Sequence, residues 1–418
     1  MGEKRIMKSI FNSLGSNYDW QFAKLALSQI FKSQKSALAQ KNLTKLKELL
    51  EQNFQGRALL FYKGRDAIEF TLEAAGISSG DEVLTQAFTC YAIEEAILRT
   101  GAKAVYVDIA KNELNLSVKT LKQALEKASN PKAVIVQHSL GTIADILAIK
   151  KFCQENKLLL IEDLAQGLGG VDNQGEALGK YADAVILSFG RDKIIDTVAG
   201  GAVILKNEKI KAQAPKKTGL KIRYLVRDLS YPFLTLLIRQ TYDWKIGKLI
   251  HFLAKKIKLI KNPTLATNQH YLPMPAPYAE LALKQFSQLK QQLTHRKKIA
   301  QLYFKELDVL AKKAQIRIIT RQKDLVQGSN LRFSLTVAEP QKLISFLAKN
   351  KIYLADRWYR AAVDCGKNNC QTSYQVGNCP QAEKMAASII NLPTHQNIKI
   401  KDAQRIVQTI ENWTVDTN

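Results

Sequence analysis

The chain is expected to fold as an α/β protein: a large domain on a mainly parallel sheet covered on both faces, then a smaller carboxy-terminal α+β domain. Three observations predict this. From Ala58 to Leu205 short apolar runs alternate with helical segments, and continuous apolar strands between helices belong to a sheet buried on both sides. From about residue 275 the pattern changes to a long helix, short strands and a terminal helix. Pro263, Pro273, Pro275 and Pro277 punctuate the join, where helices must stop.

Residues 1–50 mix short apolar groups with Lys and Gln, as in Leu46-Lys-Glu-Leu-Leu-Glu51. They read as amphipathic helices forming an arm that could pack on a dimer partner. The large domain, 51–205, has strands expected at 58–62, 82–85, 104–107, 133–136 and 158–161. Helices are expected between them at 65–75, 91–99, 117–127 and 145–156. A connection, 206–275, leads to the small domain, 276–418, with one helix running from about 280 to 307 and another near 401–413. Neither an internal repeat nor a low-complexity tract interrupts this order.

At 418 residues the chain can bury a large core, and 46% hydrophobic with 24% charged residues is a globular composition. Five cysteines are too few for a disulfide scaffold, and no secretory leader opens the sequence. A cytoplasmic protein is expected. Against 62 Lys plus Arg stand 37 Asp plus Glu, a formal charge of +25. That field suits nucleic acid, acidic lipid or sugar nucleotides alike. Because no nucleic-acid-binding signature accompanies it, nucleic acid is the disfavoured partner.

The chemistry concentrates in Leu159-Leu-Ile-Glu-Asp-Leu-Ala-Gln-Gly-Leu-Gly169, Ala184-Val-Ile-Leu-Ser-Phe-Gly-Arg-Asp-Lys193 and Gly200-Gly201. One apolar run ends in an acid, the next in Ser188, and a lysine follows. This pattern describes a pyridoxal phosphate pocket. Asp163, at the carboxyl end of a buried strand, lies where open α/β sheets bind ligands. Its carboxylate can keep a pyridine nitrogen protonated while Lys193 condenses with the aldehyde. In Tyr62-Lys-Gly-Arg-Asp-Ala67 a strand gives way to a helix. Gly64 permits close approach, and the free amides of Gly64, Arg65 and Asp66 would form an anion site for the cofactor phosphate. The bland alternative is an ordinary strand-to-helix turn. Ser188 could add a hydroxyl to that phosphate, or simply bond its own backbone.

These residues resemble the DegT-type sugar aminotransferases, a branch of the fold-type-I pyridoxal phosphate enzymes. The likeness rests on Asp163-Leu-Ala-Gln166, on Ser188-Phe-Gly-Arg-Asp-Lys193 and on the Gly200-Gly201 pair seven residues later. It extends through roughly 55–205 and 275–415, including Gly80-Asp-Glu-Val83, Ala382-Glu383 and Leu392-Pro393. The resemblance implies a seven-stranded, mainly parallel sheet and catalysis by Lys193 and Asp163. It places Gln166 near the cofactor ring or its phenolic oxygen. Relatives that deoxygenate sugars carry histidine at the Lys193 position, so lysine implies transamination. The implied reaction moves an amino group, from a donor such as glutamate, to a keto-sugar nucleotide in cell-surface polysaccharide or amino-sugar biosynthesis. A homodimer is implied. Its rivals are another pyridoxal phosphate reaction, such as a lyase or dehydratase, and a non-catalytic membrane-surface or assembly protein that keeps the fold.

The chain also departs from the family. Cys90 stands where an aromatic residue commonly stacks on the pyridine, so stacking falls to Cys90 or Tyr91. Gly64-Arg65-Asp66 replaces Gly-Thr-Ala, and Arg65 could add charge toward the phosphate or a substrate carboxylate. Gly190 and Ala199 replace a His and a Glu. Cys365, Cys370, Cys379 and His395 lack zinc-finger spacing and read as free thiols and a lone imidazole; no metal is assigned. His138 is a structural or pocket-edge residue.

Residues 206–275 are longer than the family's usual connection. The apolar run 229–238 is far short of the ~20 residues that span a bilayer. Beyond it Ile246, Leu249, Ile250, Leu253, Ile257 and Ile260 recur at helical spacing among Lys245, Lys248, Lys255, Lys256 and Lys258, with Trp244 at one end. Such a basic amphipathic helix either lies on an anionic membrane or packs on protein.

Overall fold

The computed structural model describes residues 8–32, 36–208, 210, 220–257, 259–260, 271–311, 316–354, 357–366 and 371–416. Pro263, Lys258 and Cys370, named above, lie outside them, as do the first residues of the chain and parts of the connection.

The large sheet has seven strands, in the order Arg57–Phe61, Gly201–Leu205, Ala184–Ser188, Leu159–Asp163, Pro131–Gln137, Glu82–Gln86, Lys103–Val107. All run parallel except Gly201–Leu205, which is antiparallel to both neighbours. The expected strands and helices of this region are present with small shifts at their ends. Val, Ile, Leu and Ala fill the strands because both faces are covered, by Phe22, Leu50 and Ile149 on one side and Ile68, Leu72 and Ile97 on the other.

The smaller core gathers around an antiparallel sheet of Ile316–Ile318, Arg332–Val337 and Ile389–Pro393. Tyr303, Phe333, Leu343, Ile406 and Trp413 pack on it. The single helix expected over 280–307 is two, Ala276–Phe286 and Leu289–Ala311. At the break the Ser287 hydroxyl donates to the Lys284 carbonyl at 2.7 Å, a local bond that competes with the helical ladder.

The amino-terminal segment packs within its own chain. Strand Ile10–Phe11 pairs with Ile352–Tyr353 of the small domain, helix Trp20–Ile30 lies against the connection, and helix Ala37–Phe54 lies against Ala276–Phe286. Amphipathic spacing shows that a helix has a buried face but not whose surface buries it.

Among its described residues the connection forms two α-helices. The longer, Ile222–Thr241, buries Leu225, Leu229, Tyr231, Leu236 and Ile238. The shorter, Ile246–Lys256, buries only Gly247 and Ala254. Among the described residues no helix is long and apolar enough to cross a membrane.

Candidate active site

The carboxyl edge of the parallel strands assembles the site. Asp163 ends its strand in register with Gln137 of the neighbouring one. Its two oxygens accept hydrogen bonds from the Gln137 side chain at 3.0 Å and the Ala165 amide at 2.9 Å. The carboxylate is buried, and burial raises its pKa, opposed by these bonds and by Lys193. An acid held this way gains stability as an anion once a cation meets it. Gln137 had a visible signal, a polar residue closing an apolar strand; only the fold showed which acid it holds.

Lys193 sits in a loop that folds back on itself. Its amide donates to the Gly190 carbonyl at 3.3 Å, and Phe189 bonds Gly200 at 2.9 Å. Within the loop the Asp196 carboxylate accepts from the amides of Asp192 and Val198 at 2.8 and 2.9 Å. Burial, with Asp192 nearby, pushes Asp196 up to about 7. From outside, Gln285 clamps both the Asp196 amide and carbonyl. The Lys193 ammonium lies 5.0 Å from the centre of the Trp358 ring. Burial lowers its pKa, with Cys90 and Asp163 opposing and Arg332 adding to the drop.

The amino-terminal segment holds this loop as well. Ser16 donates to Asp192 at 2.5 Å, Asn17 to the Lys193 carbonyl at 2.5 Å, and Tyr18 to Asp196 at 2.5 Å. The same Asn17 accepts from the buried Arg296 at 2.7 Å. No local motif marks Asn17, because its partners are more than a hundred residues away.

The third part is the amino end of helix Gly64–Ala74, which has no side-chain cap. Its first amides are therefore donors for an anion. A side chain on Gly64 would meet the Ser188 side chain at 3.0 Å, and one on Gly201 would meet the Gly64 nitrogen at 2.5 Å. Both glycines are thus required by close packing of three elements, and Ser188 stands against the helix end. The Arg65 guanidinium turns to Glu95 in a buried network with Arg99, Glu69 and Asp66. Burial pushes Asp66 up to about 7, against Lys63 and Arg99, and lowers Lys63 to about 8, with Arg65 adding to the effect.

The remaining expected residues fall around this centre. Cys90 is a free thiol whose pKa burial raises, with Lys193 pulling the other way, so it shares the lysine's surroundings. Tyr91 opens helix Tyr91–Arg99, and the charges acting on it are Glu94, Glu95, Arg99 and Arg65. The Gln166 amide accepts from Leu140 N at 2.6 Å and donates to the Tyr359 hydroxyl at 2.7 Å. Its position therefore braces the wall that holds Tyr359. His138 accepts from the Ala144 amide and bonds the buried Glu162 at 3.0 Å, a structural role. His395 donates to the Phe11 carbonyl at 3.0 Å. Cys379 is a free thiol, but Cys365 is disulfide-bonded, which corrects its reading as a free thiol. Among the described residues no group of three or more His, Cys, Asp or Glu gathers as a metal site. Arg332 and Trp358, stacked at 5.3 Å, carried no sequence signal.

The site residues fit pyridoxal phosphate. An uncapped helix end and a serine hydroxyl face a place where glycines keep side chains out. A braced acid and a buried amine of lowered pKa act on each other. The donor set matches a phosphate, a pyridine nitrogen and an aldehyde.

Comparison with known proteins agrees with this geometry. The model of the DegT/DnrJ/EryC1/StrS aminotransferase family matches residues 22–224 and 260–411. A pleiotropic regulatory protein of Geobacillus stearothermophilus is 27% identical over 355 residues, 84% of this chain and 83% of that protein. A GDP-perosamine synthase of Vibrio cholerae is 34% identical over 147 residues, 35% of this chain and 39% of the relative, so that alignment spans well under two thirds of the curated protein. The crystal structure of ntda from Bacillus subtilis with bound cofactor PMP superposes with a TM-score of 0.71 at 19% identity, covering 99% of this chain and 86% of that one, a likeness of fold.

Proposed function

The chain belongs to the DegT/DnrJ/EryC1/StrS aminotransferase family, and from that premise we propose that it transfers an amino group from glutamate to a keto-sugar nucleotide, as a cytoplasmic homodimer. The observation that carries this reading is a buried acid, Asp163, and a buried amine, Lys193, that act on each other electrostatically, with Ser188, five residues before the lysine, standing against the uncapped helix end at Gly64. The name of the Vibrio cholerae relative supports a sugar-nucleotide substrate. The product amine would enter cell-surface polysaccharide or amino-sugar synthesis.

When bound, pyridoxal phosphate supplies an aldehyde for amino groups and a ring that draws electrons from the carbon losing a proton. Ser188 and the amides of Gly64, Arg65 and Asp66 would hold its phosphate. Asp163 would accept a hydrogen bond from the ring nitrogen and favour its protonated form, the more so because Gln137 and Ala165 fix the carboxylate. Lys193 Nζ serves as nucleophile and as the group that removes and returns a proton, since its lowered pKa leaves more free amine near neutrality.

A panel of keto-sugar nucleotides incubated with glutamate and the holoenzyme tests the proposal. Aminated nucleotide, detected by mass spectrometry, and equimolar 2-oxoglutarate are expected. Absence of both across the panel, with a borohydride-reducible cofactor linkage intact, would overturn the sugar assignment and leave the cofactor reading standing. The Geobacillus stearothermophilus relative's name, a regulatory protein, favours a non-catalytic alternative. Against it stands the burial of an amine and an acid with shifted pKa values, a cost typical of sites kept for chemistry.

A further inference from the structure

The family model skips residues 225–259, which comprise most of the longer connection helix and all of the shorter one, Ile246–Lys256. The shorter helix is oriented unusually. A surface helix ordinarily turns its large apolar side chains to the core. Here the small residues, Gly247 and Ala254, face inward, and any side chain on Gly247 would meet the Ile238 carbonyl oxygen at 2.2 Å. The large ones face out: Ile246, Leu249, Phe252 and Leu253 are 46–63% exposed, and Trp244 and Ile257 at the two ends are 67% and 69% exposed. The start of this helix is anchored, because Asp243 accepts from the Ser9 amide and hydroxyl at 3.0 and 2.9 Å and pairs with Lys351 at 3.1 Å. A fixed apolar face is thereby held away from the core.

Charge identifies what covers it. Between Trp244 and Ala279 there are six lysines and no aspartate or glutamate. Lys245, Lys248, Lys255 and Lys256 are exposed around the outward face of the shorter helix. Two copies meeting through this helix in either direction would bring these lysines together without a countercharge. An anionic surface instead satisfies the ammonium groups while the side chains of Leu249, Phe252, Leu253 and Ile257 enter an apolar layer, with Trp244 at the boundary. We propose that this helix seats the protein on an anionic lipid bilayer surface.

The test is co-sedimentation of the holoenzyme with vesicles of phosphatidylglycerol and phosphatidylcholine, with phosphatidylcholine alone as control. At low salt the wild type is expected to pellet with the anionic vesicles only, and added salt should release it. Each lysine near such a surface is worth about fivefold in partitioning, so replacing Lys245, Lys248, Lys255 and Lys256 by Gln should weaken binding on the order of a hundredfold or more. Leu249→Ser combined with Phe252→Ser should also abolish pelleting, with oligomeric mass by light scattering and amine transfer unchanged. Three results would overturn the proposal: wild type that ignores anionic vesicles at low salt, equal binding to both vesicle types, or a fall in oligomeric mass in the serine variant, which would make a second copy the occupant.

Discussion

Asn17 tests whether the amino-terminal segment positions Lys193, the proposed nucleophile. Its side chain is buried, donates to the Lys193 carbonyl at 2.5 Å and accepts from Arg296 at 2.7 Å. Arg296 is itself buried; its other hydrogen bonds go to the Leu331 carbonyl and Thr394 at 3.3 and 3.2 Å, and burial beside Arg332 lowers its pKa to about 9. Asn17→Ala removes one neutral bond, about 1 kcal/mol, and deprives a buried cation of its shortest acceptor, about 2 kcal/mol more. A loss of about 3 kcal/mol should appear as a lower denaturant midpoint. The freed carbonyl also loosens the loop, and a displacement of the amine by ~1 Å costs up to about a hundredfold in rate. The expected signature is a kcat reduced by tenfold or more with KM little changed. Asn17→Asp separates the two effects: it restores an acceptor to Arg296 but offers the Lys193 carbonyl no donor, so stability should recover while kcat stays low. Full recovery of kcat in Asn17→Asp would refute a positioning role, as would an Asn17→Ala enzyme with wild-type kcat.

Three further outcomes are expected. Lys193→Ala should purify without a borohydride-reducible cofactor linkage and lose amine transfer; retention of that linkage would remove Lys193 from its proposed role. Asp163→Asn should fold normally yet lower turnover by orders of magnitude, because a neutral amide cannot sustain a protonated ring nitrogen; a rate within about threefold of wild type would exceed what loss of a charge-assisted bond allows. Lys63 titrates near 8 in the folded cofactor-free protein and near the ordinary lysine value when unfolded. Between those values the unfolded chain binds more protons, so stability should rise with pH by about 3 kcal/mol across that window. In Lys63→Met, unfolding in denaturant should show a flatter rise there, and an unchanged slope would contradict the assignment.

The large sheet was readable because both of its faces are buried and its strands are therefore continuously apolar. The fifth expected strand, 158–161, shows where that criterion fails. The observed strand is Leu159–Asp163, extending through two acids because His138 and the Gly179 amide bond one oxygen of Glu162, and Gln137 and Ala165 bond both oxygens of Asp163. A polarity scale stops at the first carboxylate; a strand stops where its ladder does. In the same way Asp163, Ser188 and Gly64 were visible as candidates because each lies at the end of a strand or the start of a helix, and Lys193 because its loop follows directly on Ser188. Asn17, Gln137, Arg332, Trp358 and Tyr359 complete that site from other parts of the chain, and a single polar residue has no period to reveal its partner.

The connection shows a different limit. Spacing from Ile246 to Ile260 pointed to a helix with an apolar stripe, and the observed helix ends earlier, at Lys256; amphipathicity fixes only that two faces differ. Which face turns inward depends on how closely the helix can approach its neighbour. With Gly247 against the Ile238 carbonyl and Ala254 buried, close approach is bought at the small-residue face, and the large side chains have no room between the two helices. The same stripe that would ordinarily have been assigned to the core is therefore on the outside, flanked by lysines. That inversion follows from backbone proximity, a property of two segments together, and so it became legible only once the longer helix was in place beside the shorter one.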